Sequence, residues 1–226
     1  MICIPIVAKT NEEALTRMDA AFLLSDLVEL RVDRIEGANL KELLSAKKGP
    51  VLVTARRKKE GGNFRGSETQ RIALLREAVR LKADFVDVEL STTAILVDTV
   101  REEIRKEGDK TKLIISHHDF NRTPPYRTLQ GICDLCLARG ADIVKIATFA
   151  DSLEANLRIL HLIGWAQRGG HPIISLCMGE KGTISRVMAP LFGSYLSFAS
   201  LDEGQESAPG QLTAVEMHQI LRILER

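Results

Sequence analysis

The chain has 226 residues, of which 45% are hydrophobic and 27% charged, so its composition is that of an ordinary globular protein with one large core. Its 31 basic and 30 acidic residues leave a formal charge of +1, and only 4% of the residues are aromatic. A nucleic-acid-binding surface needs a basic excess and aromatic stacking platforms, so we expect a small molecule as the partner instead. No apolar run approaches the ~20 residues of a membrane span. The N-terminus carries no basic leader, and we therefore expect a cytoplasmic protein.

Eight short β-rich runs alternate with longer amphipathic segments. We predict strands at 2–8, 27–33, 51–56, 85–90, 112–119, 142–148, 172–179 and 194–200. The segments between them show helical spacing, as in a helix that begins near Asn11, an expected N-cap, and in the stripe Leu153, Leu157, Leu160 and Ile163. Eight strand–helix units predict a (β/α)₈ barrel that forms a single domain over residues 1–226, with an open doubly wound sheet as the alternative.

The spacing Cys133-Asp134-Leu135-Cys136 resembles a metal or redox motif. No second Cys or His pair at ligand spacing accompanies it, and the pair lies within a helical apolar stripe. We therefore expect two reduced thiols in the core and no metal site.

The second predicted strand places charged residues on one of its faces. Glu29, Arg31 and Asp33 alternate with Leu30 and Val32. In a barrel the helices cover the outer face and take the apolar residues, so the three charged side chains should point inward near the mouth. There they would pair with one another or meet a polar ligand, because burying unpaired charge is costly. The alternative is a solvated edge strand.

The third predicted strand ends at Arg56 and is followed by a basic, glycine-containing loop. Within this loop, at 57–66, Glu60 stands directly ahead of Gly61 and Gly62. Such a loop is suited to folding over a pocket and delivering a carboxylate, although a merely mobile basic loop fits the pattern as well.

Strands five and six carry a histidine pair and a lysine. Strand five ends in Ser116, His117 and His118, where period 2 puts Ser116 and His118 on the same face. Lys145 lies within the apolar run 142–148, and its apolar neighbours would keep the amine neutral and nucleophilic. A lysine beside a histidine at neighbouring strand ends suggests imine chemistry on a carbonyl. The alternative is a lysine that extends from a strand end to solvent.

Two later segments are typical of ligand clamps. Ser185 and Arg186 follow strand seven, where Arg186 would bind a carboxylate by paired hydrogen bonds. Ser207 and Gln211 flank a Pro-Gly turn after strand eight. Alternatively, Arg186 only begins a helix and the turn only connects elements.

The sequence resembles the type I 3-dehydroquinate dehydratase family. The resemblance rests on six motifs in the family's order, namely ELRVD (29–33), TAR…KEGG (54–62), SHHDF (116–120), DIVKIA (142–147), MGEKGTISR (178–186) and SAPGQ (207–211). It implies a (β/α)₈ barrel, usually a homodimer, that dehydrates 3-dehydroquinate to 3-dehydroshikimate through a lysine Schiff base without metal or cofactor. Members often begin with a hairpin below the barrel, whereas this chain begins on its first predicted strand.

The resemblance also implies roles for ten residues. Lys145 would form the Schiff base, His118 would be the general acid and base, and Glu60 would assist the histidine. Glu29, Arg31 and Arg56 would hold substrate hydroxyls. The remaining contacts, to the substrate carboxylate, the ring and the lid, would come from Met178, Arg186, Ser207 and Gln211. Two other functions remain open from the residues themselves: a class I aldolase using the same lysine, and a ligand-binding barrel without covalent chemistry.

Overall fold

The computed structural model describes residues 1–224. Its strands are β1 (Ile2–Ile6), β2 (Leu27–Arg31), β3 (Val51–Thr54), β4 (Phe85–Glu89), β5 (Lys112–Asp119), β6 (Ile143–Phe149), β7 (Ile173–Met178) and β8 (Ser197–Phe198). Its helices are α1 (Asn11–Ala21), α2 (Leu40–Ser45), α3 (Glu68–Arg80), α4 (Ala94–Lys106), α5 (Tyr126–Ala138), α6 (Glu154–Arg168), α7 (Thr183–Leu191) and α8 (Ala214–Leu224). All eight predicted strands are confirmed, with bounds shorter at most ends.

The strands form a parallel, nearly closed barrel, and the open-sheet alternative is wrong. Hydrogen-bonded neighbours run in the order β7-β6-β5-β4-β3-β2-β1-β8. Between β7 and β8 the backbone N–H of Tyr195, just before β8, donates to the carbonyl oxygen of Ile173 at 2.7 Å. The carboxyl ends of all the strands therefore meet at one mouth, where the loops of such a barrel build a site.

Two apolar clusters follow from the alternation along each strand. One fills the space between the barrel and its helices, and includes Val28, Val53, Val86 and Val144. The other closes the lower barrel interior with Cys3, Leu27, Leu52, Phe85, Ile114, Ile143, Ile174, Leu196 and Phe198. Above this inner apolar layer the inward residues of β2 to β5 are mostly polar, whereas Ala147, Leu176 and Met178 continue an apolar wall on β6 and β7.

The helix predictions are wrong in two details. Thr10, and not Asn11, caps α1, since its side chain accepts a hydrogen bond from the backbone N–H of Glu13. In α6 Leu160 and Ile163 are buried, but Leu153 and Leu157 are 57% and 66% exposed. The predicted stripe used only large apolar residues, whereas the buried face of α6 also includes the small residues Ala155 and Ala166.

The thiols of Cys133 and Cys136 are free and buried, as predicted. Burial raises the pKa of Cys133 to about 11 and that of Cys136 to about 12, so both are protonated at neutral pH. Across residues 1–224 no group of three or more His, Cys, Asp or Glu side chains is arranged to hold a metal ion. No helix in that range is long and apolar enough to cross a bilayer.

Candidate active site

All ten residues singled out from the sequence line one cavity at the barrel mouth. The cavity has a volume of about 280 Å³, and its walls include Glu29, Arg31, Arg56, Glu60, His118, Lys145, Met178, Arg186, Ser207 and Gln211. Gly61, Phe120, Ala147, Leu176, Phe198, Ala208 and Pro209 complete the lining. The loop after β3 and the segment after β8 therefore contribute to the same space as the strand ends.

Lys145 is 6% exposed and stands above the inner apolar layer. Its ammonium nitrogen lies 3.2 Å from Oδ2 of Asp87, 3.8 Å from Oε1 of Glu29 and 4.4 Å from the centre of the Phe198 ring. The lysine points into the barrel, which excludes the alternative of an amine that extends to solvent. The predicted apolar surroundings are wrong on one side, because two carboxylates reach the amine from β2 and β4.

His118 lies on the neighbouring strand, closer to the mouth. Ser116 pairs with Lys145 in the β5–β6 register and His118 pairs with Ala147, so the two predicted catalytic side chains are offset by two residues along adjacent strands. Burial is the main cause that lowers the pKa of His118 to about 3, and the positive charge of Arg56 is the second. The imidazole is therefore neutral near pH 7 and available as a base.

Glu60 determines which nitrogen of His118 carries the proton. Its Oε2 lies 3.0 Å from Nδ1 of His118, and its Oε1 accepts a 2.6 Å hydrogen bond from Ser91. Burial alone would raise the pKa of Glu60, but the hydrogen bonds to His118 and Ser91 lower it below its ordinary value. An ionised carboxylate only accepts, so Nδ1 bears the proton and Nε2 is left as the acceptor.

The loop that delivers Glu60 is folded closely onto the strand ends. Gly61 ends a short 3₁₀ turn at φ 78°, where its α-carbon faces the ring of Phe120. A β-carbon on Gly62 would stand 2.0 Å from the carbonyl oxygen of Arg56, so only glycine permits this return of the chain. Asp33 also accepts a 3.0 Å hydrogen bond from the backbone N–H of Asn63.

The arginines of β2 and β3 are fully paired within the protein. Arg31 donates from Nε and Nη2 to the two oxygens of Asp33, at 2.9 and 2.8 Å. Nη2 of Arg56 lies 2.7 Å from Oδ2 of Asp87 and Nη1 lies 3.1 Å from Oε1 of Glu89, while Nη1 also donates a 2.8 Å hydrogen bond to Oγ of Ser116. Its pKa is raised above the ordinary arginine value, because these carboxylates outweigh the effect of burial. The inward charges predicted on β2 are therefore confirmed, and they are held by internal pairs.

Arg186 differs from the other arginines of the cavity. It is 1% exposed, makes no ion pair within residues 1–224, and its Nε has no hydrogen-bond partner there. Its Nη2 donates to the carbonyl oxygen of Pro209 at 3.2 Å. Burial lowers its pKa to about 10, which leaves a charged guanidinium whose positive charge no protein carboxylate neutralises. Such a group is suited to an anionic ligand.

The segment after β8 is docked on the end of β7. The backbone N–H of Gly179 donates to the carbonyl oxygen of Pro209 at 3.0 Å, and a β-carbon on Gly210 would stand 2.2 Å from the carbonyl oxygen of Gly179. Ser207 and Gln211 hydrogen-bond to each other across this turn, with Nε2 of Gln211 3.1 Å from Oγ of Ser207. Both side chains are half-buried beside the cavity.

Sequence reasoning missed Asp87 and Ser91, which help to hold this site together, and it placed Ser116 on the face of His118 without giving it a role. Asp87 and Ser116 are buried among the charged side chains, and Ser116 donates to Asp87 at 2.6 Å. The signal for Asp87 was available, because Phe85, Asp87 and Glu89 alternate along β4 as the charges of β2 do. Ser91 lies beyond the end of β4 and left no comparable signal.

The fold is that of the (β/α)₈ barrel enzymes, whose active sites lie at this mouth. Here the mouth holds a buried lysine, a neutral histidine paired to a carboxylate, and an arginine without an ion pair among residues 1–224. The sequence profile of the type I 3-dehydroquinase family matches residues 2–226. The chain belongs to this family of hydro-lyases.

Similar proteins agree with this membership. A 3-dehydroquinate dehydratase of Methanococcus maripaludis is 39% identical over 225 residues, which cover 99% of this chain and all of the relative. The crystal structure of 3-dehydroquinate dehydratase from Geobacillus kaustophilus superposes with a TM-score of 0.91 at 30% identity, covering 99% of this chain and 90% of that one. The type I enzyme of Clostridium difficile, solved with covalently modified comenic acid, gives a TM-score of 0.86 at 32% identity, with 99% and 91% covered.

Proposed function

We propose that this protein converts 3-dehydroquinate to 3-dehydroshikimate and water through an imine on Lys145, with His118 as the general acid and base. The observation that carries the proposal is the convergence in one cavity of a buried lysine, a neutral histidine and Arg186, a cation with no ion-pair partner among residues 1–224. Family membership supports the same substrate, which the relatives are named for. The activity belongs to the shikimate route to aromatic amino acids.

In the proposed reaction Lys145 adds to the substrate ketone, and loss of water gives an iminium that withdraws electrons from the adjacent carbon. His118 then removes a proton from that carbon, because its Nε2 is unprotonated while Nδ1 is held by Glu60. The electron pair moves toward the iminium nitrogen and returns to expel the β-hydroxyl, which leaves as water after His118 protonates it. A second water hydrolyses the imine and frees the lysine.

The binding residues divide according to the charge of the substrate. Arg186 would pair with the substrate carboxylate, which supplies the anion that the guanidinium lacks in the protein. Glu29, Arg31 and Arg56 would bind hydroxyls, since they already hold fixed positions in ion pairs at the cavity wall. Met178 would pack against the ring, and Ser207 and Gln211 would close over it.

The decisive experiment combines product detection with trapping. Incubation with 3-dehydroquinate should produce the conjugated enone absorbance of 3-dehydroshikimate. Borohydride added during turnover should give a mass increase on the peptide containing Lys145, and Lys145→Met should abolish both signals. An aldolase would instead release two carbon fragments, and a binding barrel would show saturable binding with no adduct. An unmodified Lys145 in an active protein would contradict the imine mechanism.

We also propose a cytoplasmic homodimer that needs no metal or cofactor. Support comes from the family resemblance and from a cavity lined by charged side chains that suffice for acid, base and nucleophile. Light scattering of the purified chain would give the mass of a dimer, and dialysis against a chelator would leave turnover unchanged. A monomer, or an activity restored only by added metal, would contradict this part of the proposal.

A further inference from the structure

Asp87 is a completely buried carboxylate at the centre of the charged layer. Its side chain has no exposed surface, and it accepts hydrogen bonds from three donors. Oδ1 accepts from Ser116 at 2.6 Å, while Oδ2 accepts from Arg56 at 2.7 Å and from the ammonium of Lys145 at 3.2 Å. Burial alone would raise its pKa, but the charges of Arg56 and Lys145 hold the pKa far below the ordinary value. The carboxylate therefore stays ionised.

Asp87 touches Lys145 but not the cavity. It is not among the residues that line the space where a ligand would bind. Phe85, two residues earlier on β4, belongs to the apolar layer beneath, and Glu89, two residues later, pairs with Arg56 nearer the mouth. The position of Asp87 on β4 therefore aims its carboxylate at the nitrogen of Lys145 from the side away from the substrate.

Other charged or titratable groups face Lys145 from neighbouring strands. Glu29 on β2 is 3.8 Å from the nitrogen, but its Oε1 also accepts a 2.7 Å hydrogen bond from Thr54. Beyond β3, Arg56 presents a positive charge, and His118 on β5 is neutral. The thiol of Cys3 on β1 lies below, with its pKa raised by burial and by Glu29. Asp87 is thus the nearest anion to the nitrogen.

We propose that Asp87 is a positioning residue that holds the nitrogen of Lys145 in place and remains its counter-ion when that nitrogen becomes part of the iminium. This inference rests on the proposed imine mechanism. An ammonium and a ketone combine to give an iminium and one water, so the single positive charge on nitrogen is the same before and after. The nitrogen gives up a proton so that its lone pair can attack the ketone, and a proton taken up by the carbinolamine hydroxyl leaves with it as water. Asp87 therefore faces a cation before the addition and again in the iminium.

The counter-ion matters because only a protonated imine is an effective electron sink. A neutral imine does not accept the electron pair released when His118 removes the proton. An opposite charge this close favours the protonated nitrogen over the neutral one. Ser116 holds Oδ1 of Asp87 and Arg56 holds Oδ2, so the carboxylate cannot turn away while the substrate adds.

The test compares Asp87→Asn with Ser116→Ala and Asp87→Glu. In Asp87→Asn, kcat should fall by about 10²–10³-fold, the scale for removing one preorganised electrostatic group. The alkaline limb of its kcat–pH profile should move about 1–3 pH units downward, because the imine loses its proton more readily without the neighbouring charge. Ser116→Ala keeps the charge, so its pH limbs should stay in place and its kcat should fall by less than about 10-fold.

Asp87→Glu keeps a carboxylate but moves it by one methylene. We expect the limbs of its kcat–pH profile to stay at their wild-type positions while kcat falls. This variant therefore tests whether the position of the carboxylate matters, even if Asp87→Asn does not fold. A folded Asp87→Glu with wild-type kcat, or a folded Asp87→Asn with unchanged pH limbs, would overturn the inference. Borohydride trapping on the wild-type enzyme keeps the two proposals separate: no adduct there refutes the imine mechanism, whereas normal trapping with unshifted variants refutes only the role of Asp87.

Discussion

The two sides of the barrel mouth handle charge in opposite ways. On the β2–β6 side each arginine or lysine that lines the cavity has a protein carboxylate within ion-pair distance, as in Arg31 with Asp33, Arg56 with Asp87, and Lys145 with Asp87. On the β7–β8 side Arg186 is just as buried and makes no ion pair within the described residues. One side is electrostatically complete without a ligand, and the other is not.

This difference indicates a division of labour. A complete ionic network holds its members in fixed positions, which suits groups that must meet a reacting carbon with little reorganisation. A buried cation without an anion carries a desolvation cost that an anionic ligand would relieve. We therefore expect changes on the first side to affect mainly kcat or folding, and changes at Arg186 to affect mainly KM.

After the loss of Lys145, which should abolish activity, the largest functional effect within this comparison is expected from His118. His118→Ala should lower kcat by about 10²–10⁴-fold, the usual contribution of a general acid and base. KM should change little. Borohydride should still trap an adduct on Lys145, because the amine itself forms the bond to the substrate. A large rise in KM with kcat preserved would show that the histidine binds substrate instead.

Matched substitutions of Arg56 and Arg186 test the charge difference directly. Arg56→Met removes a buried positive charge that pairs with Asp87 and Glu89, so it should lower the free energy of unfolding by about 3–5 kcal/mol. Arg186→Met removes an unneutralised charge, so stability should be unchanged or higher, while KM rises by about 10–10²-fold through loss of a charged hydrogen bond. Urea unfolding and steady-state kinetics measure both quantities, and equal destabilisation by the two variants would contradict the comparison.

The effect that is smallest near neutral pH, and that grows only on acidification, is a pH dependence of stability from His118. Its folded-state pKa of about 3 lies below the ordinary value of 6.5, so between these values the unfolded chain binds a proton that the folded protein does not. Stability should therefore rise with pH across this window, relative to His118→Gln, by about 1.4 kcal/mol per pH unit. Urea unfolding of both proteins at several pH values measures the difference, and parallel curves would show that burial does not hold the imidazole neutral.

The local patterns of the chain predicted the strands and the inward charges of β2, because period 2 and apolar burial act over a few residues. The surroundings of Lys145 were mispredicted for the opposite reason. Its nearest carboxylate, Asp87, lies 58 residues earlier, and Glu60 is equally far from His118 along the chain. Such pairs depend on how the closed barrel brings together β4 and β6, which are separated by β5, and on how the loop after β3 folds, and no local period contains that information.

By itself the sequence determined the eight strand–helix units, the chemical groups at each strand end and, through its ordered motifs, the family. Only the tertiary structure decided which charges neutralise one another. Closure of the barrel brings Asp87 between Arg56 and Lys145, and folds the glycine loop so that Glu60 reaches His118. The same closure buries Arg186 at the other wall without an anion, because the neighbouring inward residues of β7, Leu176 and Met178, are apolar.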